Sequence, residues 1–213
     1  DPVTQTPYCE TDPRTNGRHL VFQQLDTLID PRSLHLLDRE TGIDLELAPV
    51  GTSINSYDLN DRYAVWAGYS GEATSVGRDV FWHDLATGET HHLDATYPRY
   101  QEWVFVWEDW VTIRGTDAYE TGPSYLEVYR ISTQETIPIV ADDWAVSAGW
   151  IRGGLVFYNT SAYTGTENLN PSDLEVFSLD SSVTRRLTTT DSNLRVSGVA
   201  LPYLLIKHRL FLA

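Results

Sequence analysis

The sequence predicts an all-β fold, a β-propeller of four-stranded antiparallel blades, and three observations support this. A segment of about 46 residues occurs four times and begins a fifth time along the 213-residue chain. Tyr and Trp, which favour sheets, are abundant, with 12 and 7 copies. Apolar residues nowhere keep a helical period long enough to compete with the strand pattern. Tandem units of this length, each holding four short strands, are typical of propellers.

The clearest element of each repeat is a strand that ends in a tight turn. Four such runs, 46, 46 and 48 residues apart, begin at Leu34, Val80, Leu126 and Leu174. The first two end in an Asp-x-x-Thr-Gly turn, at 38–42 and 84–88, and the last two end in variants of it. An Asp side chain bonds nearby backbone and Gly accepts positive φ, so the pattern predicts the hairpin between the third and fourth strands of a blade.

Three further runs recur with a similar period and supply the other strands of each blade. The first strand is expected at 53–59, 100–106, 145–151 and 194–201. The second strand is expected at 20–22, 64–66, 111–113, 155–157 and 204–206. The fourth strand, after the turn, is expected at 45–48, 90–93, 136–140 and 184–187. The second strand therefore occurs five times, whereas the third and fourth occur four times.

Closure of the ring is the irregular part of this plan. Residues 1–18 have little pattern and form an N-terminal segment ahead of the repeats at 19–213. We expect five blades, the last completed by N-terminal residues such as Val3 to Tyr8, because an open edge would invite aggregation. The alternative is an incomplete ring that further residues or a partner chain would finish.

The second repeat resembles a known family. Residues 53–66 and 78–89 carry a Val-Trp strand, an Asp-Val-Phe strand and then Asp-Leu-Ala-Thr-Gly. This is similar to the TolB-like propeller repeats of bacterial periplasmic and archaeal surface proteins. The resemblance spans most of 19–213 and departs at Thr133-Gln134 and Ser181-Ser182, where the Thr-Gly turn is altered. It implies a propeller blade, and the blades of such families serve in binding, scaffolding and substrate-gating domains.

The net charge narrows the range of partners. Thirty acidic residues against 15 basic ones give a net charge of −15. Such a surface repels phosphate backbones and anionic membranes, so we expect no nucleic-acid binding, while cationic partners, metal ions and neutral sugars stay open. No apolar run approaches the roughly 18 residues of a membrane span, which predicts no membrane insertion.

The residue usage also predicts a compartment. The sequence has no Met, even at position 1, and its one cysteine, Cys9, leaves no partner for an internal disulfide. We interpret the chain as processed or trimmed, with any signal peptide removed. A secreted, periplasmic or cell-surface protein is therefore expected.

The candidate binding site lies on the connections between second and third strands, which propellers gather on one face. Three of these are long, at 68–78, 115–124 and 159–172. They share Tyr, acidic and polar side chains, which give flat contact area and adaptable hydrogen bonds on a rigid scaffold. The residues predicted to bind a ligand are Tyr69, Glu72, Tyr119, Glu120, Tyr163, Glu167 and Asn168. The alternative is that these loops merely tolerate insertions.

A second layer on this face is predicted at the connection Asp142-Asp143-Trp144, after a fourth strand. Paired carboxylates serve in glycosidases or bind Ca²⁺, but they are also common in ordinary turns. The chain has no Asp-x-Asp-x-Asp-Gly loop, so no cofactor is expected, although a Ca²⁺ ion stays compatible with the acidic residues. The other tryptophans, Trp103 among them, are expected to pack between blades, and histidines such as His35 to be structural.

No catalytic residue is predicted, because the chain has no Gly-x-Ser-x-Gly elbow and no phosphate-binding loop. Two functional hypotheses follow. The first is an exported, non-enzymatic binding or scaffolding propeller that engages a protein or carbohydrate through its long-loop face. The alternative is a glycan-active enzyme, or the propeller domain of a larger hydrolase, that uses acidic residues at the mouth of the channel.

Overall fold

The computed structural model describes residues 9–25, 32–49, 52–69, 78–93, 100–116, 124–146, 149–162, 173–187, 194–200 and 203–208. Every regular element within these ranges is a β-strand, and paired strands are antiparallel. Four four-stranded blades follow one another along the chain, and two further strands begin a fifth. The all-β propeller prediction is confirmed.

Each blade runs outward from its first strand. Blade 1 contains β1 (Cys9–Thr15), β2 (His19–Leu25), β3 (Arg32–Asp38) and β4 (Asp44–Ala48). Blade 2 contains β5 (Ile54–Leu59), β6 (Tyr63–Tyr69), β7 (Arg78–Asp84) and β8 (Glu89–Leu93). Blade 3 contains β9 (Tyr100–Trp107), β10 (Trp110–Thr116), β11 (Ser124–Arg130) and the start of β12 (Glu135–Val146). Blade 4 contains the end of β12, β13 (Trp150–Arg152), β14 (Leu155–Ala162), β15 (Asp173–Ser178) and β16 (Val183–Arg186). The fifth unit pairs β17 (Leu194–Ala200) with β18 (Tyr203–His208).

Strand β1 was not expected from the sequence. It lies within the N-terminal segment and pairs with β2 as the innermost strand of blade 1. The strand is mostly polar and contains Pro13, its register shifts between Thr11 and Arg14, and Asp12 has a φ of 51°. This bulged, polar strand has no alternating pattern by which to recognise it. The closing role predicted for Val3 to Tyr8 lies outside the described residues and stays a prediction.

Apolar side chains between adjacent blades form the core, because each sheet has a neighbour on its face. The buried residues between blades 1 and 2 include Val21, Leu34 and Trp66. Those between blades 2 and 3 include Val65, Val104 and Ile113. Those between blades 3 and 4 include Phe105, Val128 and Val156. Strand β9, which lines the channel, is thus packed on both faces, with Val104 and Val106 toward blade 2 and Phe105 toward blade 4.

Polar side chains tie the innermost strands of blades 2 and 3 together. The N–H of Val104 donates to Ser56 Oγ at 2.8 Å, and the N–H of Val106 donates to Asp58 Oδ2 at 3.0 Å. These contacts satisfy inner-strand N–H groups that no further strand of the same sheet could reach. They fix β9 against β5 at the channel.

The turns of blades 1 and 2 carry the same ion pair. An arginine just before the second strand faces an aspartate at the end of the third. Arg18 Nη2 lies 2.8 Å from Asp38 Oδ2, and Arg62 Nη2 lies 3.5 Å from Asp84 Oδ2. Each pair ties the turn after the first strand to the turn after the third.

Blade 3 has the same pair with its members exchanged. Asp109 precedes the second strand, and its Oδ2 lies 3.2 Å from Arg130 Nε at the end of the third. The carboxylate still accepts the same N–H of the following turn. That N–H belongs to Glu40 in blade 1, Ala86 in blade 2 and Ser132 in blade 3, at 2.9, 2.8 and 3.1 Å. The repeats therefore preserve the pair and the accepted N–H rather than the position of either residue.

Candidate functional site

We call the end of the channel where second strands end and third strands begin the loop end, and the opposite end the turn end. The sequence places the binding residues at the loop end. Tyr69 is the last residue of β6 and pairs with Arg78, at the base of a predicted long connection. The remaining predicted residues of these connections lie outside the described residues: Glu72, Tyr119, Glu120, Tyr163, Glu167 and Asn168.

The predicted connection Asp142-Asp143-Trp144 is part of a strand, not a loop. These residues lie within β12, which runs from blade 3 into blade 4 without a break. Trp144 pairs with Ser124 on one side and with Ala162 on the other. The expectation of a free turn here was wrong, because the fourth strand of blade 3 continues directly as the first strand of blade 4. Their role in binding stays a prediction.

Trp103 differs from the other strand tryptophans. It lies in β9, the innermost strand of blade 3, and is 44% exposed, whereas Trp66 and Trp82 are 2% and 7% exposed. The expectation that Trp103 packs between blades was wrong. Its register partner is Arg114, which lies in the half of β10 nearer the loop end. A half-exposed Trp on a channel-lining strand is therefore a described feature of the loop end.

Beside Trp103, Arg114 joins blade 3 to blade 4. Its guanidinium pairs with Glu102 and donates to Ser124 Oγ at 2.8 Å and to the carbonyl oxygen of Val146 at 3.2 Å. Glu102 and Ser124 are buried. Burial lowers the pKa of Arg114, while the charge of Glu102 opposes that change. Groups 12 to 32 residues apart meet here, which no local sequence signal could have indicated.

Close packing of backbone supports this cluster. A Cβ added at Gly115 would lie 2.1 Å from the carbonyl oxygen of Tyr100 and 2.5 Å from Tyr125 Oη. The pairing of β10 with β9 also shifts register between Arg114 and Gly115. Only glycine fits where the strands approach so closely. The floor of the loop end in blade 3 is therefore rigid.

A Ser-His-Asp hydrogen-bonded chain lies in blade 1, away from this cluster. Ser33 Oγ is 2.9 Å from His35 Nε2, and His35 Nδ1 is 3.0 Å from Asp44 Oδ1. The atoms match those of a hydrolytic triad, but a nucleophile must reach its substrate. Ser33 is 2% exposed, and the ring of His35 stacks on Phe22. We interpret these Ser33–His35–Asp44 hydrogen bonds as a cross-strand network that orders the sheet of blade 1.

The described part of the chain lacks two features that would indicate a metal site or a membrane span. It contains no group of three or more His, Cys, Asp or Glu side chains placed to hold a metal ion. Among those same residues, no helix has the length and apolar character needed to cross a bilayer.

Comparison of folds identifies propellers as structural neighbours. The β-propeller domain of the Trilobed protease from Pyrococcus furiosus superposes with a TM-score of 0.63 at 11% identity, over 89% of this chain and 60% of that one. A TolB from Agrobacterium tumefaciens superposes with a TM-score of 0.57 at 10% identity, over 81% of this chain and 61% of that one. Oligopeptidase B from Leishmania major gives 0.62 at 12% identity, over 87% of this chain and 28% of that one.

These identities show the fold alone. The chain spans about six-tenths of the first two neighbours and less than a third of the oligopeptidase. No family model matches the sequence, and no curated protein matches it. A binding or scaffolding role and a place as the propeller of a hydrolase are both compatible with these neighbours.

Proposed function

We propose that this chain is a non-enzymatic binding propeller that engages a protein partner through its loop end. The observation that carries the proposal is Trp103, a large aromatic side chain left 44% exposed on a channel-lining strand. The strand around it is otherwise buried, from Tyr100 to Val106. We take contact with a partner as the reason for this exposure, because Trp is among the residues that contribute most to binding energy at protein interfaces.

The residues around Trp103 suit a protein more than a small molecule. Trp, Tyr and Arg dominate the energetics of protein interfaces, and they work best on a rigid support. Trp103 is held beside the Arg114 cluster, and the predicted rim adds Tyr69, Tyr119 and Tyr163. The net charge of −15 favours a partner with a basic surface and would steer its approach.

The comparisons give limited support for the compartment. One structural neighbour is a TolB, and the second repeat resembles TolB-like repeats. We propose on this basis an exported protein, placed in the periplasm, at the cell surface or outside the cell. Membership of the TolB-like repeat family is part of the same proposal.

A second candidate function is the propeller domain of a larger hydrolase. The observation in its favour is that the neighbours include a protease and two kinds of peptidase. The chain covers 33% of an acylaminoacyl peptidase from Pyrococcus horikoshii, so it would form one part of such an enzyme. Carbohydrate binding at the loop end, or glycan hydrolysis with Asp142 and Asp143, stays an expectation to which the described residues add no observation.

The test compares two tryptophans on one strand. A partner purified from the source cells is titrated against three proteins. They are the wild type, the loop-end variant Trp103→Ala and the turn-end variant Trp107→Ala. We expect Trp103→Ala to weaken binding by roughly tenfold or more, as hot-spot residues do, with Trp107→Ala unchanged. Tyr119→Ala with Tyr163→Ala should add a further loss.

Thermal unfolding of each variant separates lost contact from lost fold. Partner binding that survives all of these substitutions in folded protein would contradict the proposal. A partner that proves to be a covalently continuous hydrolase domain, docked on the same chain, would establish the second candidate instead.

A further inference from the structure

The turn end of the channel contains a cavity that the predicted binding face does not include. Its volume is about 670 Å³, within the range of small-ligand sites. Turns and strand ends from four blades form its wall. They contribute Asn16 from blade 1, residues 58–63 from blade 2, 105–109 from blade 3 and 150–152 from blade 4.

Two asparagines fix the shape of the rim. Asn60 Oδ1 accepts the N–H groups of Arg62 and Tyr63, both at 2.8 Å, so the turn is closed on itself. Asn60 Nδ2 then donates to the carbonyl oxygen of Glu108 in the next blade at 2.9 Å. Asn16 Nδ2 donates to the carbonyl oxygen of Asn60 at 2.9 Å. The rims of three blades are thus joined in sequence, and the cavity is formed before any ligand arrives.

Charges of both signs face this cavity. Asp58 lies on the wall, half-buried, and one of its oxygens accepts the N–H of Val106. Asp61, Arg62, Glu108 and Arg152 are exposed at the rim, and Asp109 lies beside them. Arg62 is already paired with Asp84, and Asp109 with Arg130. The positive charge of Arg152 acts on the carboxyl group of Asp58. Carboxylates and guanidinium groups therefore line the same cavity.

Aromatic rings form the rest of the wall. Phe105 and Trp150 stack with centroids 4.1 Å apart and join blade 3 to blade 4. Trp107, at the end of β9, is partly exposed on the same wall. The cavity therefore combines apolar ring surface with carboxylate, amide and guanidinium groups.

This combination selects the chemistry of the ligand. A hydroxyl group both donates and accepts, so it can bond to a carboxylate and to a guanidinium in the same site. Arg152 would repel a strongly cationic ligand. The carboxylates of Asp58, Asp61 and Glu108 would repel a strongly anionic one. Ring faces pack well against the apolar C–H faces of a sugar.

We infer that the turn-end cavity is a binding site for a short neutral oligosaccharide. Trp107 and Trp150 supply the apolar wall, and Asp58 and Arg152 supply the charged hydrogen-bond acceptor and donor. The site goes beyond the proposed protein-binding function, because it lies at the opposite end of the channel and uses none of the same side chains.

The test is calorimetric titration of neutral trisaccharides, maltotriose, cellotriose and chitotriose, into the purified chain. Trilysine and a sulfated trisaccharide are the charged comparators. We expect at least one neutral trisaccharide to bind, and Arg152→Ala and Trp107→Ala each to weaken its binding by about tenfold. Arg185→Ala, an exposed arginine on β16, and Trp103→Ala are matched controls that should leave sugar binding unchanged.

Three results would overturn the inference. The first is that none of the three neutral trisaccharides binds at millimolar concentration. The second is that a charged comparator binds more tightly than they do. The third is that sugar affinity is unchanged by both cavity substitutions. Trp107→Leu removes the ring with less loss of volume and serves if Trp107→Ala unfolds. Loss of partner binding in Trp103→Ala does not bear on this site, so the two proposals fail separately.

Discussion

The two ends of the channel are built by different means. At the loop end, the largely buried guanidinium of Arg114 holds blades 3 and 4 together, with Glu102, Ser124 and Val146 around it. At the turn end, asparagine side chains and partly exposed ion pairs join the turns one by one. The first arrangement concentrates its stability in one desolvated cluster, and the second spreads it over many small contacts. Substitutions should therefore be costly at the loop side and mild at the turn end.

The largest effect should come from Glu102→Ala. The substitution removes the carboxylate that pairs with the largely buried guanidinium of Arg114, and breaking a fully buried pair costs roughly 3–5 kcal/mol, which sets the upper limit here. Denaturant unfolding monitored by Trp fluorescence measures the loss. Glu102→Gln keeps a hydrogen-bond acceptor and should lose clearly less. Equal losses in the two variants would show that the ion pair is not what matters there.

A smaller effect is expected from Asn60→Ala at the turn end. It removes the acceptor for two turn N–H groups and the donor to Glu108, and three modest hydrogen bonds are together worth about 2 kcal/mol. Asn60→Asp keeps the acceptor and loses only the tie to blade 3, so it should recover much of the stability. The same denaturant series measures both variants. A loss in Asn60→Ala equal to that of Glu102→Ala would erase the contrast between the ends.

The exchanged ion pair of blade 3 should give a smaller effect still. Arg130→Asp places two carboxylates together, and partly exposed pairs are worth about 0.2–1 kcal/mol. Asp109→Arg combined with Arg130→Asp restores the arrangement of blades 1 and 2 and should recover most of the loss. Thermal unfolding of the two single variants and the double variant gives the coupling. Additive losses would mean that the exchange between repeats has no energetic basis.

The smallest effects should appear as opposite pH dependences of two carboxyl groups. Burial raises the pKa of Asp58 above its ordinary value of 3.8, so its charged form is a cost to the folded state. That cost is full above the raised pKa and vanishes as pH falls toward 3.8. Asp58→Asn, which can still accept the N–H of Val106, should thus be more stable than wild type at pH 7, with a gap that narrows at pH 4.

Asp38 is the matched control for this titration. The hydrogen bond from Arg18 lowers the pKa of Asp38, so its charged form stabilises the fold above the ordinary value and the benefit is lost as pH falls. Asp38→Asn should therefore be less stable than wild type at pH 7, and its deficit should shrink in acid. Melting temperatures across pH 3 to 8 give both trends. If both variants differed from the wild type in melting temperature in the same direction at pH 7, the causes assigned to the two pKa shifts would be contradicted.

The sequence predicted most of the scaffold because its repeats can be aligned with one another, which locates the equivalent strands and turns. The turns after the third strands recur with Asp and Gly, and Gly42 and Gly88 have positive φ as that turn type requires. The predicted alignment of the second strands, 111–113 with 155–157, was one residue out of register. In the structure, Val111 pairs with Tyr129 and Val156 pairs with Phe177. Tyr129 and Phe177 hold the same position in their third strands, so Val156 is the equivalent of Val111. The turn Gly153-Gly154, with both φ positive, sets that register, and a one-residue shift changes which face is buried.

The site was less predictable for a physical reason. The predicted residues follow the usual logic of long connections, but the described floor of the loop end depends on contacts between blades. Arg114 meets Glu102 across one hairpin and Val146 in the next blade, which requires knowing how β12 passes between sheets. Trp103 lies on a strand, as the packed Trp66 and Trp82 do. Its exposure follows from its place in the assembled propeller, which its neighbours in the chain do not reveal.

Hydroxyl-radical footprinting of the chain, free and with the proposed protein partner, tests the proposed use of the loop end most directly. We predict that Trp103, Tyr119 and Tyr163 lose reactivity when the partner binds, while Trp107 and Trp150 at the turn end keep theirs. Protection confined to Trp107 and Trp150, with Trp103 still reactive, would contradict the assignment of partner binding to the loop end.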